Sequence, residues 1–465
     1  MKRALLVMIG AGWLVGCGGD SSSDGSNNDN ATGLDSTGGQ EQGEGQEAAE
    51  AEGGSDDDPT GDGDPTGDGD PTGDGDPTGN DDNDDSNQKW DTLAIPDGGP
   101  LNCSGGGGGG DFEFSYLWAA NSDQGTISKI DTKTVTEVGR YIVRPDSAGS
   151  PSRTSVSLSG HVAVANRNGG VTKIYADEQF CEESNGMPGI QTSNSAAYLP
   201  WGQEECVAWH KPMNYISQRP VAWGIGNFNQ GTCQWEDEEL WTAGTNDNGF
   251  IDIYLLDGDD GATKEMIQVP SNGIGLSADP TASYYGIYGG AVDGDGNFWG
   301  SQLGGEGRVI RVNREDMTYE TWAAPQGYWW YGMTVDSEGM LWLCSDHVGR
   351  FDPETETWAT AQVGGSSGCM ADASEDGLLW MADGWQGVVG VNRETLLVEK
   401  TWPTNGSYGI SIDFEGYVWA VAFGTNATKL DPETGQTWTY GGLVGAYTYS
   451  DMTGYALTNV GTPSG

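Results

Sequence analysis

Four times in its C-terminal half the chain repeats one short pattern: an acidic turn, a glycine, an apolar pair and a tryptophan. Asp293-Gly-Asp-Gly296-Asn-Phe-Trp299 returns as Asp336-Ser-Glu-Gly339-Met-Leu-Trp342, then as Ser374-Glu-Asp-Gly377-Leu-Leu-Trp380, then as Asp413-Phe-Glu-Gly416-Tyr-Val-Trp419. Each copy is followed by a second turn at Asn313, Asp352, Asn392 or Asp431, and then by a Thr-Trp pair. A period of about 40 residues with fixed turn and Trp positions marks a repeat architecture. Within one unit the apolar runs are short and β-like. Gly339 and Gly416 suit hairpin turns. Asp352-Pro353 and Asp431-Pro432 suit a second one, with Pro fixing φ and the Asp side chain bonding back to the turn. Four strands per unit and no helix predict an all-β fold, a β-propeller of four-stranded blades. The repeated Trp residues are expected to fill the space between blades.

Upstream the same pattern is thinner. Tyr116-Leu-Trp118, Val162-Ala-Val-Ala165 and Leu240-Trp241 each open a unit, which brings the count to seven, with six or eight as alternatives. Residues 177–219 fit no unit and read as an insertion in a propeller spanning 112–460. The alternating stretch from Tyr447 to Val460 is placed to give a strand to the first blade and close the ring.

The remaining sequence is not globular. Lys2 and Arg3 precede the apolar run Ala4–Gly16, which is too short to span a bilayer and suits a signal peptide over 1–16. The run ends in Leu14-Val-Gly-Cys17, which resembles the bacterial lipoprotein box. That resemblance implies lipidation of Cys17, a membrane partner through the lipid anchor, and, with Gly18 after it, the outer membrane of a Gram-negative cell. Residues 17–111 hold Asp, Gly, Ser and Asn and the repeated Asp58-Pro-Thr-Gly-Asp-Gly63 unit. Nothing there can bury area to offset chain entropy, so a disordered acidic linker is expected. The net charge of −50, from 70 Asp+Glu against 20 Lys+Arg, disfavours a nucleic-acid partner. No resident cofactor or metal is expected. The Asp-Gly-Asp triplets leave Ca²⁺ or Mg²⁺ as an alternative, but no loop here ends in the Glu that a calcium site wants.

Besides Cys17 the cysteines are Cys103, Cys181, Cys206, Cys233, Cys344 and Cys369. An even set in an exported chain allows three disulfides in 15 pairings. Consecutive blades would bring Cys344 and Cys369 together, and Cys181, Cys206 and Cys233 bracket the insertion.

The Asp-x-x-Gly-x-apolar-Trp unit resembles the virginiamycin B lyase (streptogramin lyase) family, clearest from Tyr284 onward. The resemblance implies a metal-assisted elimination with a His just before Gly-Ile on the innermost strand and a Glu three residues after the blade Trp. This sequence departs from that pattern. The His places hold Tyr288, Tyr331, Tyr408 and Cys369. The Glu places hold Gln302, Ser345, Asp383 and Ala422. His161, His210 and His347 lie elsewhere. The expected role is therefore ligand binding without catalysis by a monomer, the ligand being a glycan, a small molecule or a protein. A diverged lyase acting on a lactone or uronate-type substrate and a protein-interaction scaffold are the alternatives. Tyr288, Tyr331 and Tyr408, with Trp329 and Trp330 beside them, are the candidate binding residues, because phenol and indole faces suit an apolar-faced, hydroxylated ligand. The same Tyr side chains would alternatively pack between blades. His347 beside Asp346, Asp383 and Gln302 are further candidates.

Overall fold

A computed structural model describes residues 115–460 except 230, 233, 247, 272–285, 305–306, 375–376 and 385. The signal peptide, Cys17, the acidic linker, Cys103 and Cys233 lie outside the described residues. Seven antiparallel sheets follow one another along the chain, and a small two-stranded hairpin, Asn227–Asn229 with Gln234–Glu236, stands apart from them. The innermost strands of neighbouring sheets touch in sequence, so the sheets form the blades of a seven-bladed propeller.

The tryptophan repeat is explained by one hydrogen-bonded unit. In blade 4 the Asp293 carboxylate accepts from the backbone N–H of Asp295 and Asn297 across the turn. Its other oxygen accepts the Trp299 indole N–H at 2.8 Å. Asp336 does the same for Trp342 at 2.7 Å, and Asp413 for Trp419 at 2.8 Å. Each Asp is thus buried and fully bonded, as a buried carboxylate must be. The turn glycines Gly296, Gly339 and Gly416 all have φ near +78°, a conformation that L side chains rarely adopt. Blade 6 differs from its sequence alignment. Gly377 N–H bonds Ser374 O there as the turn glycines do in the other blades, but it is Asp372 that donates its N–H to Leu378 O and accepts the Ser374 N–H on its carboxylate.

Two strands escape the sequence pattern. Val207–Lys211 is the outer strand of blade 2, and Ser217–Trp223 is the innermost strand of blade 3. The expected insertion at 177–219 is therefore narrower, since its last residues are blade. Val207–Lys211 is half-buried along its whole length and shows no alternation. Ser217–Trp223 is fully buried yet carries Gln218, Arg219 and Pro220, residues that read as loop. The true excursion is held by the Cys181–Cys206 disulfide. Glu205 ties it further, accepting from the backbone N–H of Ser184, Asn185 and Gln191. Cys344–Cys369 joins blades 5 and 6 as expected.

Blade 1 has three regular strands, Tyr116–Asn121, Thr126–Asp131 and Thr136–Ile142. Its innermost position is filled by the end of the chain. Ser122 N–H donates to Gly445 O, Tyr447 N–H to Ala120 O, and Trp118 N–H to Met452 O. The segment then leaves the sheet as a short helix, Tyr455–Asn459, instead of the continued strand expected to Val460. Leu457 and Val460 join the buried cluster that holds Val221, Val292 and Val335 on the inner strands of blades 3, 4 and 5. A cavity of about 30 Å³, room for a water, remains between this plug and the inner strands.

Candidate functional site

The candidate site is built by one repeated backbone position. Tyr288, Tyr331 and Tyr408 each precede an innermost strand and donate their N–H to the residue two beyond the blade Trp, Ser301, Cys344 and Val421 respectively. Tyr447 makes the same bond to Ala120, two residues beyond Trp118, so the closing segment supplies the equivalent Tyr for blade 1. In blade 6 Ser366 N–H bonds Ala382 O, two residues beyond Trp380, so Ser366 and not Cys369 makes this bond. Cys369 lies inside the strand opposite Met381, where it reaches Cys344. In blade 3 the register of Ala222 against Trp241 brings Arg219 to the position.

These side chains converge. Tyr288 Oη lies 2.8 Å from Tyr331 Oη and 2.7 Å from Tyr447 Oη. Tyr331 and Tyr447 hydroxyls are 2.6 Å apart, and Tyr408 donates to Tyr331. Tyr449 Oη stands 3.4 Å from Tyr447 Oη, and its ring stacks on Tyr288 with centroids 5.7 Å apart. Tyr288 and Tyr449 are buried, while Tyr331, Tyr408 and Tyr447 are half-buried. Phe423, 56 % exposed, stands edge-on to Tyr408 and Tyr447. The cluster therefore has a buried floor and an exposed aromatic rim.

Three guanidinium groups adjoin it. Arg153 Cζ is 3.4 Å from the Tyr449 ring centroid and 5.0 Å from that of Tyr288. Arg219 lies 4.9 Å from the Tyr288 ring and Arg167 4.7 Å from the Tyr447 ring. Burial opposes ionisation of Tyr447. Hydrogen bonds from Tyr288, Tyr331 and Tyr449, with the charge of Arg219, outweigh it and bring the phenol down to about 8. Burial pushes Tyr288 and Tyr331 well above the usual phenol range.

The other sequence candidates are placed separately. Trp329 is 51 % exposed, whereas Trp330 is buried, its indole N–H bonded to Pro325 O at 2.9 Å. His347 has Nδ1 3.0 Å from Asp346 Oδ1, and its ring lies 4.3 Å from the Tyr328 ring. Asp383 ends an inner strand of blade 6, where burial raises its carboxyl. Gln302 is buried, and neither polar atom of its amide has a hydrogen-bond partner among the described residues. No three His, Cys, Asp or Glu side chains gather as a metal site among the described residues. Sequence reasoning missed Tyr447, Tyr449 and the three arginines. Their one visible signal was the scarcity of Arg in so acidic a chain.

No protein-family model matches the sequence, and no curated protein does either. Solved structures similar to this chain include dihydro-heme d1 dehydrogenase NirN in complex with DHE, at 11 % identity and TM-score 0.44. That match covers 70 % of this chain and 63 % of the other, so the chain spans less than two thirds of that protein. A streptogramin B lyase is similar at 14 % identity and TM-score 0.44 over 71 % of this chain and 92 % of the other. AztD from Citrobacter koseri is similar at 10 % identity and TM-score 0.43 over 72 % and 97 %. What the chain does must be argued from its own residues.

Proposed function

We propose that this protein is a ligand-binding propeller, held at the outer membrane by a lipid on Cys17 and carried away from the surface by the acidic linker. The ligand is taken at the channel mouth without catalysis by the chain. The observation that carries this reading is the recurrence of Tyr at one inner-strand position in blades 1, 4, 5 and 7. A structural filler would not require hydroxyls at four of seven blades to meet at one point. Together with Phe423 they offer ring faces and oxygens to a cyclic, hydroxylated molecule such as a saccharide.

The full chain is to be screened on a glycan and small-molecule array, and each hit titrated by calorimetry. Tyr408→Ala and Phe423→Ala are expected to weaken binding about tenfold or more, in line with loss of an aromatic contact. Unchanged affinity in both variants for every hit would remove the channel mouth as the site. Metabolic acyl labelling is expected on the wild type and absent from Cys17→Ser. Persistent label would remove the anchor.

A further inference from the structure

Within a chain of net charge −50, two arginines beside the tyrosine cluster, Arg153 and Arg167, have no carboxylate partner among the described residues. Arg153 is 2 % exposed. Its Nη1 donates to Tyr449 O at 3.2 Å, but among the described residues Nε and Nη2 have no hydrogen-bond partner. Arg167 is half-buried, and among the described residues its guanidinium bonds only to Ser150, through the backbone oxygen and the hydroxyl. Among the described residues neither has a carboxylate within ion-pair reach, a lack shared with Arg308 and Arg350, whereas Arg140, Arg144, Arg311, Arg314 and Arg393 are paired. Arg153 and Arg219 both lie about 5 Å from the same Tyr288 ring. An uncompensated buried charge costs several kcal/mol, and guanidinium N–H groups left without acceptors add to it.

The phenols meet this need only in part. Their hydroxyls bond to one another, and the described bonds of Arg153 and Arg167 run to Tyr449 O and to Ser150, not to a phenol oxygen. Cation–π contact with Tyr449, Tyr288 and Tyr447 offsets part of the cost but supplies no acceptor for the free N–H groups. A planar, bidentate acceptor would supply one, because a guanidinium fork matches a carboxylate or phosphate.

Resting on the binding reading above, we infer that the ligand of the channel mouth carries a carboxylate or phosphate, which is received by Arg153, Arg167 and Arg219 beneath the aromatic rim. An acidic saccharide combines the two requirements: a ring face for Tyr408 and Phe423, and an anion for the guanidiniums. The acidic surface elsewhere would repel such a ligand, leaving this mouth as its place of entry.

The test compares galacturonate oligomers with neutral galactose oligomers of equal length, titrated into the full chain at two salt concentrations. Tighter binding of the acidic series, weakening with salt, is expected. Arg167→Gln should reduce affinity for the acidic series about tenfold, a larger loss than for the neutral series. Since Arg153 is buried and its variants could misfold, bromide soaked into crystals of the unaltered protein gives an independent reading. An anomalous peak beside the Arg153 guanidinium is expected. If acidic and neutral series bind equally and no bromide orders there, the anion inference falls while the aromatic site stands. If the acidic series binds but Tyr408→Ala and Phe423→Ala leave it unchanged, the site reading falls with it.

Discussion

A chain that stops after Gly442 is expected to lose its cooperative thermal transition, or to melt more than 10 °C below the full chain. The truncation removes the backbone partners of Trp118, Ala120 and Ser122, so blade 1 is left with an open inner edge. It also removes contacts made to other blades. Ser450 Oγ and the backbone of Thr154 bond reciprocally on blade 2, and Thr453 Oγ1 donates to Ile412 O on blade 7 at 2.6 Å. The Tyr455 hydroxyl donates to Asp372 in blade 6 at 3.1 Å. Leu443, Tyr449, Met452 and Leu457 are all buried in the full chain. At about 1.5–3 kcal/mol for each large apolar side chain, their loss rivals the about 5–15 kcal/mol that holds an ordinary domain folded. Circular dichroism on heating, with the full chain alongside, gives the answer. A truncated chain that melts at the same temperature would show that the ring needs no closure.

The legible part of this fold was the part with a periodic cause. Asp293, Asp336 and Asp413 recur because each must satisfy a turn and an indole, so their spacing to Trp was visible in the sequence. The strands that were missed break that logic. Ser217–Trp223 is buried, but its polar residues have partners that no local pattern reveals: Gln218 bonds Thr242 and the Gly170 N–H, and Arg219 faces the channel phenols. The candidate site was half legible for the same reason. Tyr288, Tyr331 and Tyr408 stand in repeating units, so an alignment within the chain found them. Tyr447 holds the same place only because the chain's end returns to its first blade, a contact 327 residues apart that no repeat encodes. The arginines come from blades 2 and 3, where the Trp motif is weakest. Placing them took the register of strands that the sequence does not mark.

Lys429→Met is expected to destabilise the protein by about 3–5 kcal/mol at neutral pH, the usual consequence of removing one partner from a buried charge pair. Lys429 is 5 % exposed and Asp413 is fully buried. Lys429 Nζ lies 3.4 Å from Asp413 Oδ2 and 3.0 Å from Glu415 Oε2, donates to Thr132 O at 2.8 Å, and sits 3.9 Å from the Tyr417 ring centroid. It therefore neutralises the turn carboxylate of blade 7 and ties that blade to blade 1 across the ring closure. Burial already raises the Asp413 carboxyl, and Lys429 is the chief influence holding it down. Without the ammonium that carboxyl rises further above its unfolded value. The folded variant then binds more protons than the unfolded chain through the intervening range, so its stability falls as pH rises and recovers in acid. Denaturant melts of Lys429→Met from pH 4 to pH 8 should show the deficit widening with pH relative to wild type. Adding Asp413→Asn removes the uncompensated charge while leaving an oxygen for the Trp419 indole, and should restore much of the loss at pH 8. A flat deficit across that range, or no rescue by the second substitution, would mean that Lys429 acts through its packing on Tyr417 and its bond to Thr132, and not through the charge of Asp413.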